Sequence, residues 1–379
     1  MRERRAFVLA CACLFATLVA LRPFHRSETS RESAARAHEN PQASHASSNV
    51  NGQRCSFHGN ATRRIDVIAF THDGDIRERQ LVSLTAARYF NPGACVLVLT
   101  NNAALRSHDV VLKLNVHVEL IALDDPRVTM LAQNYKHSSS NSEYFELHCL
   151  SRFVYLDNFI SALPETWRID IWHLDLDVVL FSTLQQPFAQ IHVWALTPKS
   201  SYFARFSRAS LHDFSEFIVH LYEKSVDELV RFISTYGTDS EHVKRDSTLW
   251  RSASVQLTPK QFSDMHVFHA WTENLTSRNV PIFFFHKSQN RPFPAEDACV
   301  DGSDLVNMSW YEMDAHLLNS MDIPPRLKFP MIRSQSVEEP VLALHFQGGC
   351  KSHLCEVVCP MLRADDATLI KCCNRFKNS

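Results

Sequence analysis

The sequence IWHLDLDVVLF, at residues 171–181, sets two carboxylates into an otherwise apolar run. An ionised carboxylate in an apolar core costs roughly several kcal/mol, even after relaxation. The run predicts a buried strand of an α/β sheet that leads into a turn. Because side chains alternate along a strand, we expect Asp175 and Asp177 on the same face. A divalent cation between them, Mg²⁺ or Mn²⁺ with a substrate diphosphate completing its shell, would relieve their repulsion.

A second apolar run, LALHFQGGCK at residues 342–351, combines a histidine, glycines and a lysine. It predicts a strand that ends near His345, followed by the spacing His-x-x-Gly-x-x-Lys. Imidazole is a suitable ligand for Mn²⁺, glycine permits close backbone contact, and lysine acts as a point charge for phosphate. A lone histidine at a strand end is usually structural, so the weight of this motif comes from its pairing with the Asp-x-Asp upstream.

Together the two motifs resemble those of glycogenin-like nucleotide-sugar glycosyltransferases of the GT-A fold. The resemblance implies that Asp175, Asp177 and His345 bind the metal. It also implies that the backbone at Gly348 approaches the donor diphosphate and that Lys351 neutralises it. That family usually has Pro-Trp after the lysine, whereas this chain has Ser-His. The stereochemical outcome, inversion or retention, therefore stays open.

The segments before the Asp-x-Asp predict an α/β fold. Apolar runs at 65–70, 95–99 and 116–123 predict strands, and a helix is expected at 78–90 between the first two. This order is the start of a mostly parallel mixed sheet flanked by helices, the Rossmann-like GT-A architecture implied by the resemblance. No Gly-x-Gly-x-x-Gly follows the first strand, so a dinucleotide-binding phosphate loop is not predicted.

Further candidate site residues come from their position relative to these elements. In the GT-A fold the loop after the first strand lies near the nucleotide, which makes Thr71, His72 and Asp73 candidates for nucleotide contacts; an ordinary polar turn is the alternative. Arg152 lies on a predicted helix at 143–163 and is a candidate partner for the carboxylates or the diphosphate. Asp264 is a candidate general base or acceptor-binding group, and with Ser263 it is also a candidate helix cap.

The N-terminus carries a targeting signal. Arginines precede an apolar run, which predicts a cytoplasmic tail at 1–5 and a signal anchor at 6–22; a cleaved signal peptide is the alternative. A polar segment at 23–60 reads as a flexible stem. The transferase domain is expected at 61–360 and a Cys-rich tail at 361–379. This organisation predicts a single-pass type II protein of the Golgi membrane with a lumenal catalytic domain, or a secreted protein if the apolar run is cleaved.

Composition agrees with a lumenal globular enzyme. The formal net charge is −2 at pH 7, so nucleic acid is not an expected partner. The chain has 11 cysteines, two of them in the apolar N-terminal run. Disulfides are expected among the other nine in an oxidising lumen, and because nine is odd, at least one cysteine should be free or paired between chains. Asn60, Asn274 and Asn307 begin glycosylation sequons.

The function predicted from these features is metal-dependent transfer of a sugar from a nucleotide-diphosphate donor. The donor is expected to be a UDP-sugar, and the acceptor a hydroxyl of a glycan or glycoprotein. One alternative is a transferase-like carbohydrate-binding protein without turnover, and another is a metal-dependent hydrolase. The sugar, the acceptor, the linkage and the oligomeric state are not readable from the residues.

Overall fold

The structure is a computed structural model that describes the chain in blocks. The described residues are 55, 64–122, 124–181, 183–184, 191–195, 197–240, 260–284, 295–297, 299–300, 304–305, 308–312, 328–334, 337–340 and 343–346. The predicted tail and anchor, most of the predicted stem, and the predicted phosphate-binding residues Gly348 and Lys351 lie outside them. Within the described residues, no helix is both long and apolar enough to cross a bilayer.

The first half of the chain alternates strands and helices, as its apolar runs predict. Ser142 caps the longest helix, since its hydroxyl accepts a hydrogen bond from the Phe145 backbone N–H at 3.2 Å. The elements are β1 (Arg64–His72), α1 (Glu78–Phe90), β2 (Cys95–Thr100), α2 (Asp109–Lys113), β3 (His117–Leu120), α3 (Pro126–Asn134), α4 (Glu143–Ser161), β4 (Arg168–Leu174) and β5 (Val178–Leu180).

Among the described residues, the second half adds three helices and a series of short strands. The helix that follows Ser263 begins at Asp264, so the capping role predicted for this pair of residues is found at Ser263. The elements are β6 (Val193–Ala195), β7 (Phe203–Ser207), α5 (Arg208–Tyr222), α6 (Val226–Tyr236), β8 (Thr238–Asp239), β9 (Lys260–Gln261), α7 (Asp264–Ser277), β10 (Ile282–Phe284), β11 (Ala295–Asp297), β12 (Cys299–Val300), β13 (Asp304–Leu305), β14 (Met308–Glu312), β15 (Lys328–Ser334), β16 (Val337–Pro340) and β17 (Ala343–His345).

The central sheet has seven strands in the order β10-β6-β7-β4-β1-β2-β3. Strands β3, β2, β1 and β4 are parallel neighbours, and β7 runs antiparallel to both β4 and β6. Helices lie between successive parallel strands, as crossover connections require. The mixed, mostly parallel α/β fold predicted from the sequence is confirmed.

The core lies on both faces of this sheet. Along β1, Val67 and Ala69 join one apolar cluster with residues of α3 to α7, while Ile68 and Phe70 join a second cluster with residues of α1 and α2. The period of two along the strand sends neighbouring side chains to opposite faces. Both faces of β1 are therefore buried, which explains its uninterrupted apolar sequence.

A small three-stranded sheet, ordered β11-β17-β5, lies beside the Asp-x-Asp segment. β17 pairs with β11 in parallel and with β5 antiparallel. The apolar stretch at 171–181 thus contributes strands to two different sheets. The chain changes sheets between Leu174 and Val178, at the two carboxylates.

A disulfide joins Cys55, in the predicted stem, to Cys95 at the start of β2, with a Cα–Cα distance of 4.9 Å. It closes a loop with a sequence separation of 40 residues. It also fixes the chain just ahead of β1 to the neighbouring strand. Cys149, by contrast, is a free thiol buried on α4.

Removal of this disulfide is expected to lower the free energy of unfolding by about 4 kcal/mol, from the entropy of a loop of this length in the unfolded chain. Because Cys55→Ser and Cys95→Ser break the same bond, each single variant should cost nearly as much as the double variant. Denaturant unfolding of the three variants measures this. A double variant whose loss of unfolding free energy equals the sum of the two single losses would contradict the bond.

Candidate functional site

Asp175 and Asp177 lie in a turn rather than in a strand. β4 ends at Leu174, β5 begins at Val178, and the Val178 N–H donates to the Asp175 carbonyl at 2.9 Å. The Asp175 N–H donates to the Tyr202 carbonyl at 3.0 Å, which fixes the start of the turn to the residue before β7. The expectation that strand alternation places both carboxylates on one face was therefore wrong. The apolar residues on either side belong to two sheets, and the turn between them carries the acids.

His345 lies beside this turn. In the β17–β5 ladder His345 is opposite Val178, and the Phe346 N–H donates to the Asp177 carbonyl at 2.9 Å. The His345 Nε2 and Asp177 Oδ1 atoms are 3.5 Å apart. The Tyr202 ring stacks on the imidazole, with centroids 3.8 Å apart. Strand pairing thus brings together two side chains that are 168 residues apart in the sequence, as the motif pairing predicts.

Arg152, on α4, links Asp175 to Asp264. The guanidinium is buried, and its Nη1 lies 2.5 Å from Asp175 Oδ1 while its Nη2 lies 2.7 Å from Asp264 Oδ2. The Ser201 hydroxyl donates to the same Asp264 oxygen at 2.7 Å. Burial alone would lower the pKa of Arg152, but the two carboxylates outweigh burial and raise it. Arg152 is a permanent cation between two acids.

The turn is an acidic environment even with Arg152 present. Burial raises the pKa of Asp175, Arg152 lowers it, and the carboxylates of Asp177 and Asp264 raise it, so the net shift is upward. The Asp175 side chain keeps 27 % of its surface exposed. A partly exposed turn with three carboxylates and one guanidinium nearby attracts cations.

The residues were tested for their fit to a metal ion. The distance of 3.5 Å between the Asp177 Oδ1 and His345 Nε2 atoms is close to the distance between two ligands of one ion, each about 2.1 Å from it. Carboxylate oxygen with imidazole nitrogen is a ligand set that suits Mn²⁺. The Asp175 carboxylate is turned towards Arg152. Asp177 and His345 are therefore placed to share an ion, whereas the Asp175 carboxylate is engaged by Arg152 and does not form a compact three-ligand group with them among the described residues.

Another group of side chains has the compactness of a metal site. Among the described residues, Asp157, His212 and Glu216 bring three ligand atoms within 4.8 Å of one another. Arg127 Nη1 already lies 2.7 Å from Asp157 and 2.8 Å from Glu216. A fixed guanidinium neutralises these two carboxylates, so a metal ion would have to displace it. The group, on α4 and α5, is better described as an ion-pair network.

The loop after β1 reaches the same edge of the sheet as the acidic turn. β1 and β4 are parallel and in register at Ala69 and His173, so both strands end at this edge. Of the predicted nucleotide contacts, Thr71 and His72 are the last two residues of β1, which is longer than the sequence predicted, and Asp73 is the first residue of the loop. At this edge of an open α/β sheet, the carboxyl ends of the strands form the usual ligand crevice.

Hydrogen bonds to the end of β2 shape this loop. The His72 ring nitrogen Nε2 contacts the Asp75 carbonyl at 3.0 Å. Gly74 adopts φ +80° and donates its N–H to the Asn101 side chain at 2.8 Å, and the Asn101 amide in turn donates to Asp73. The Thr71 hydroxyl is buried and has no hydrogen-bond partner among the described residues. Asp73 is therefore engaged within the loop.

Sequence reasoning named Asp264 as a candidate general base or acceptor-binding group but missed its contacts. Asp264 pairs with Arg152 and accepts from the Ser201 hydroxyl only through contacts between distant elements, and no motif marks these residues as a set. His148 was also missed. It lies one turn before Arg152 on α4, and burial, assisted by Arg152, lowers its pKa to about 4, so it is neutral near pH 7. The spacing of four between His148 and Arg152 was the one available signal.

Comparisons with known proteins find similarity only to solved structures, at low identity. No protein-family model matches the sequence, and no curated protein matches it. Among solved structures, mouse xyloside xylosyltransferase 1 in its apo form is similar at 9 % identity and a TM-score of 0.39, covering 76 % of this chain and 98 % of that one. The galactosyltransferase LgtC with donor and acceptor sugar analogues is similar at 11 % identity and a TM-score of 0.41, covering 79 % and 98 %. These neighbours are glycosyltransferases, and at such low similarity the assignment of function rests on the residues of the site.

Proposed function

We propose that this chain is a metal-dependent glycosyltransferase that uses a nucleotide-diphosphate sugar, expected to be UDP-linked, and transfers to a hydroxyl of a glycan or glycoprotein. The observation that carries the proposal is the pairing of β17 with β5, which sets His345 3.5 Å from Asp177 at the acidic turn. Side chains of these types, brought together from distant segments at the ligand-binding edge of an α/β sheet, suit a metal–diphosphate site.

The cation would be held by Asp177 and His345, joined by Asp175 once it turns from Arg152. When bound, Mn²⁺ or Mg²⁺ would offset the charge that grows on the leaving diphosphate. Tyr202, stacked on His345, holds the imidazole plane in place. Gly348 and Lys351, which follow β17 directly in the sequence, would supply close backbone approach and a positive charge at the diphosphate.

Asp264 has a different role in this proposal from the general base predicted by sequence. Its Oδ2 accepts from both Arg152 and Ser201, and the residue is 7 % exposed. An oxygen that already accepts two hydrogen bonds in a buried position has little freedom to take a proton from an acceptor hydroxyl. We assign Asp264 as a positioning residue that orients Arg152, and through it Asp175.

Asp264→Asn distinguishes these roles. Asparagine keeps an oxygen that can accept from Arg152 and Ser201, so we expect kcat to fall by no more than about tenfold, whereas loss of a general base costs about 10²–10⁴. Asp264→Ala should lose more than Asp264→Asn, because it leaves Arg152 without its second partner. Steady-state kinetics of both variants, with thermal unfolding as a check on folding, measures this. An asparagine variant as inactive as the alanine variant, with unchanged unfolding, would restore the base assignment.

A donor screen tests the function itself. The purified lumenal part is incubated with a panel of UDP- and GDP-sugars, with and without Mn²⁺, and release of UDP or GDP is measured. We expect release from at least one UDP-sugar that requires the metal. No release from any donor would favour the carbohydrate-binding alternative, and analysis of the products separates transfer to an acceptor from hydrolysis.

We also propose residence in the lumen of the Golgi, as a type II membrane protein anchored through residues 6–22. The disulfide between Cys55 and Cys95 supports an oxidising compartment. Expression of the full chain in a secretory cell, followed by protease protection of intact membranes, tests the orientation. A protected catalytic domain that stays with the membrane after alkaline extraction supports the anchor, whereas release into the medium supports cleavage.

A further inference from the structure

Two large aromatic side chains stand exposed at the start of α4. Tyr144 is 68 % exposed and Phe145 is 50 % exposed, and they are adjacent in the first turn of the helix. Among the described residues, the other large hydrophobic side chain with such exposure is Leu112 on α2, at 60 %. Two neighbouring exposed rings form an apolar patch rather than scattered surface residues.

The face of α4 that carries these rings also carries Arg152, the partner of Asp175. Phe145, His148 and Arg152 have the spacing i, i+3, i+7, so they lie in one stripe of the helix, and Tyr144 lies one turn before His148. The rise from Phe145 to Arg152 is about 10 Å along the axis. His148 is half-buried. Burial and Arg152 lower its pKa, and Asp73 and His72, at the end of β1, have smaller effects on it. The aromatic rings are thus the exposed end of a stripe on α4 whose other end, Arg152, is buried against Asp175.

The chain around the rings is polar and held in place. Ser139 and Asn141 donate to Glu146 Oε1 at 2.7 and 2.6 Å, and Glu146 is 1 % exposed. The Ser138 hydroxyl donates to the Lys260 carbonyl at 2.6 Å, which ties this segment to the strand before α7. Because the segment is already fixed, a ligand that binds there pays little ordering entropy.

We infer that Tyr144 and Phe145 are the stacking surface for the sugar ring of the acceptor, which rests on the proposed function. The segment at 138–145 contains serines, an asparagine, the acidic Glu143 and no lysine or arginine, so it is unsuited to a diphosphate. It offers aromatic faces beside the exposed serines Ser140 and Ser142. That combination matches a neutral saccharide, whose ring has an apolar C–H face and a rim of hydroxyls. The acceptor would lie on the rings with its reacting hydroxyl directed along the stripe towards Arg152.

The test separates acceptor binding from donor chemistry. Tyr144→Ala, Phe145→Ala and the double variant are compared with Leu112→Ala, a control with equal exposure on another helix. Transfer to methyl glycosides of glucose, galactose, xylose and N-acetylglucosamine is measured with the donor found active, alongside hydrolysis of that donor by water. Saturation-transfer NMR of the same methyl glycosides reports binding without turnover.

We expect each ring removal to raise the acceptor KM about tenfold, the effect of losing roughly 1.4 kcal/mol of stacking. Donor hydrolysis should stay within about twofold of wild type, and Tyr144→Phe should behave as wild type. An unchanged acceptor KM in the double variant, or an equal loss of donor hydrolysis, would overturn the inference. If the wild type turns over no donor, the proposed function fails, and the NMR experiment then tests the stacking surface separately. An NMR signal of glycoside binding that is absent, or equal in wild type and double variant, would overturn the stacking surface.

Discussion

Replacement of Asp177 by alanine is expected to reduce donor turnover about a thousandfold, the scale at which loss of a central electrostatic group affects a transition state. Asp177 lies against His345 and at the end of the β17–β5 ladder, so its carboxylate is the part of the turn best placed to share a cation with the imidazole. The fall should appear in kcat/KM for the donor at saturating Mn²⁺. It should persist when the metal concentration is raised, since the ligand itself is missing.

The matched control lies in the other compact group of side chains. His212 belongs to the group on α4 and α5 with Asp157 and Glu216, and it is 58 % exposed, so His212→Gln should fold normally. Because Arg127 already neutralises that group, we expect His212→Gln to keep wild-type turnover and metal dependence. The proposal would be contradicted if His212→Gln lost metal dependence while Asp177→Ala kept it. That result would place the metal in the group on α4 and α5 instead of at the acidic turn.

Replacement of Arg152 by methionine is expected to lower the free energy of unfolding by about 3–5 kcal/mol, because it leaves the buried Asp264 carboxylate and the partly exposed Asp175 carboxylate without their common partner. Both carboxylates are paired with this one guanidinium. Arg152→Lys should recover a part of the loss, since one ammonium cannot match both carboxylates with the geometry of a planar fork. Denaturant unfolding of the two variants measures the difference.

Arg205 offers a comparison that separates stability from activity. It is also buried and paired with an acid, Asp170, but near the start of β4 rather than at the acidic turn. Arg205→Met should therefore cost stability as Arg152→Met does, while folded protein at low temperature keeps its affinity for Mn²⁺. Only the Arg152 variant should change that affinity. Equal changes in both variants would mean that Arg152 contributes general stability and has no specific part in the site.

The elements of the sheet were predictable because their signals are local. The apolar run from Ile65 to Phe70 and the helix at 78–90 depend on periodicity and on nearby turn residues, which the sequence displays directly. The stretch at 171–181 was harder. Its apolar residues look continuous, yet Leu174 belongs to the central sheet and Val178 to the small one. Nothing local separates one long strand from two strands in different sheets, since the separation comes from pairing with β17.

The same distinction between local and distant contacts explains the site. His345 and Asp177 were recognised together because a known pair of motifs links them. Arg152, Ser201 and Asp264 come from α4, the segment before β7 and α7, and they meet only when these elements pack. Such pairs carry no signal in a single sequence, so the sequence predicts a general base or acceptor-binding group at Asp264, whereas the positioning role proposed above rests on its contacts.

The metal shared by Asp177 and His345 can be measured without turnover. Titration of Mn²⁺ into the protein with UDP present, followed by the electron paramagnetic resonance signal of free Mn²⁺, counts bound ions and gives their affinity. We predict one site whose affinity falls at least tenfold in His345→Ala and in Asp177→Ala, as loss of a metal ligand or its close support requires. Binding that is unchanged in both variants, or absent from the wild type, would contradict a metal site at the acidic turn and with it the proposed transferase.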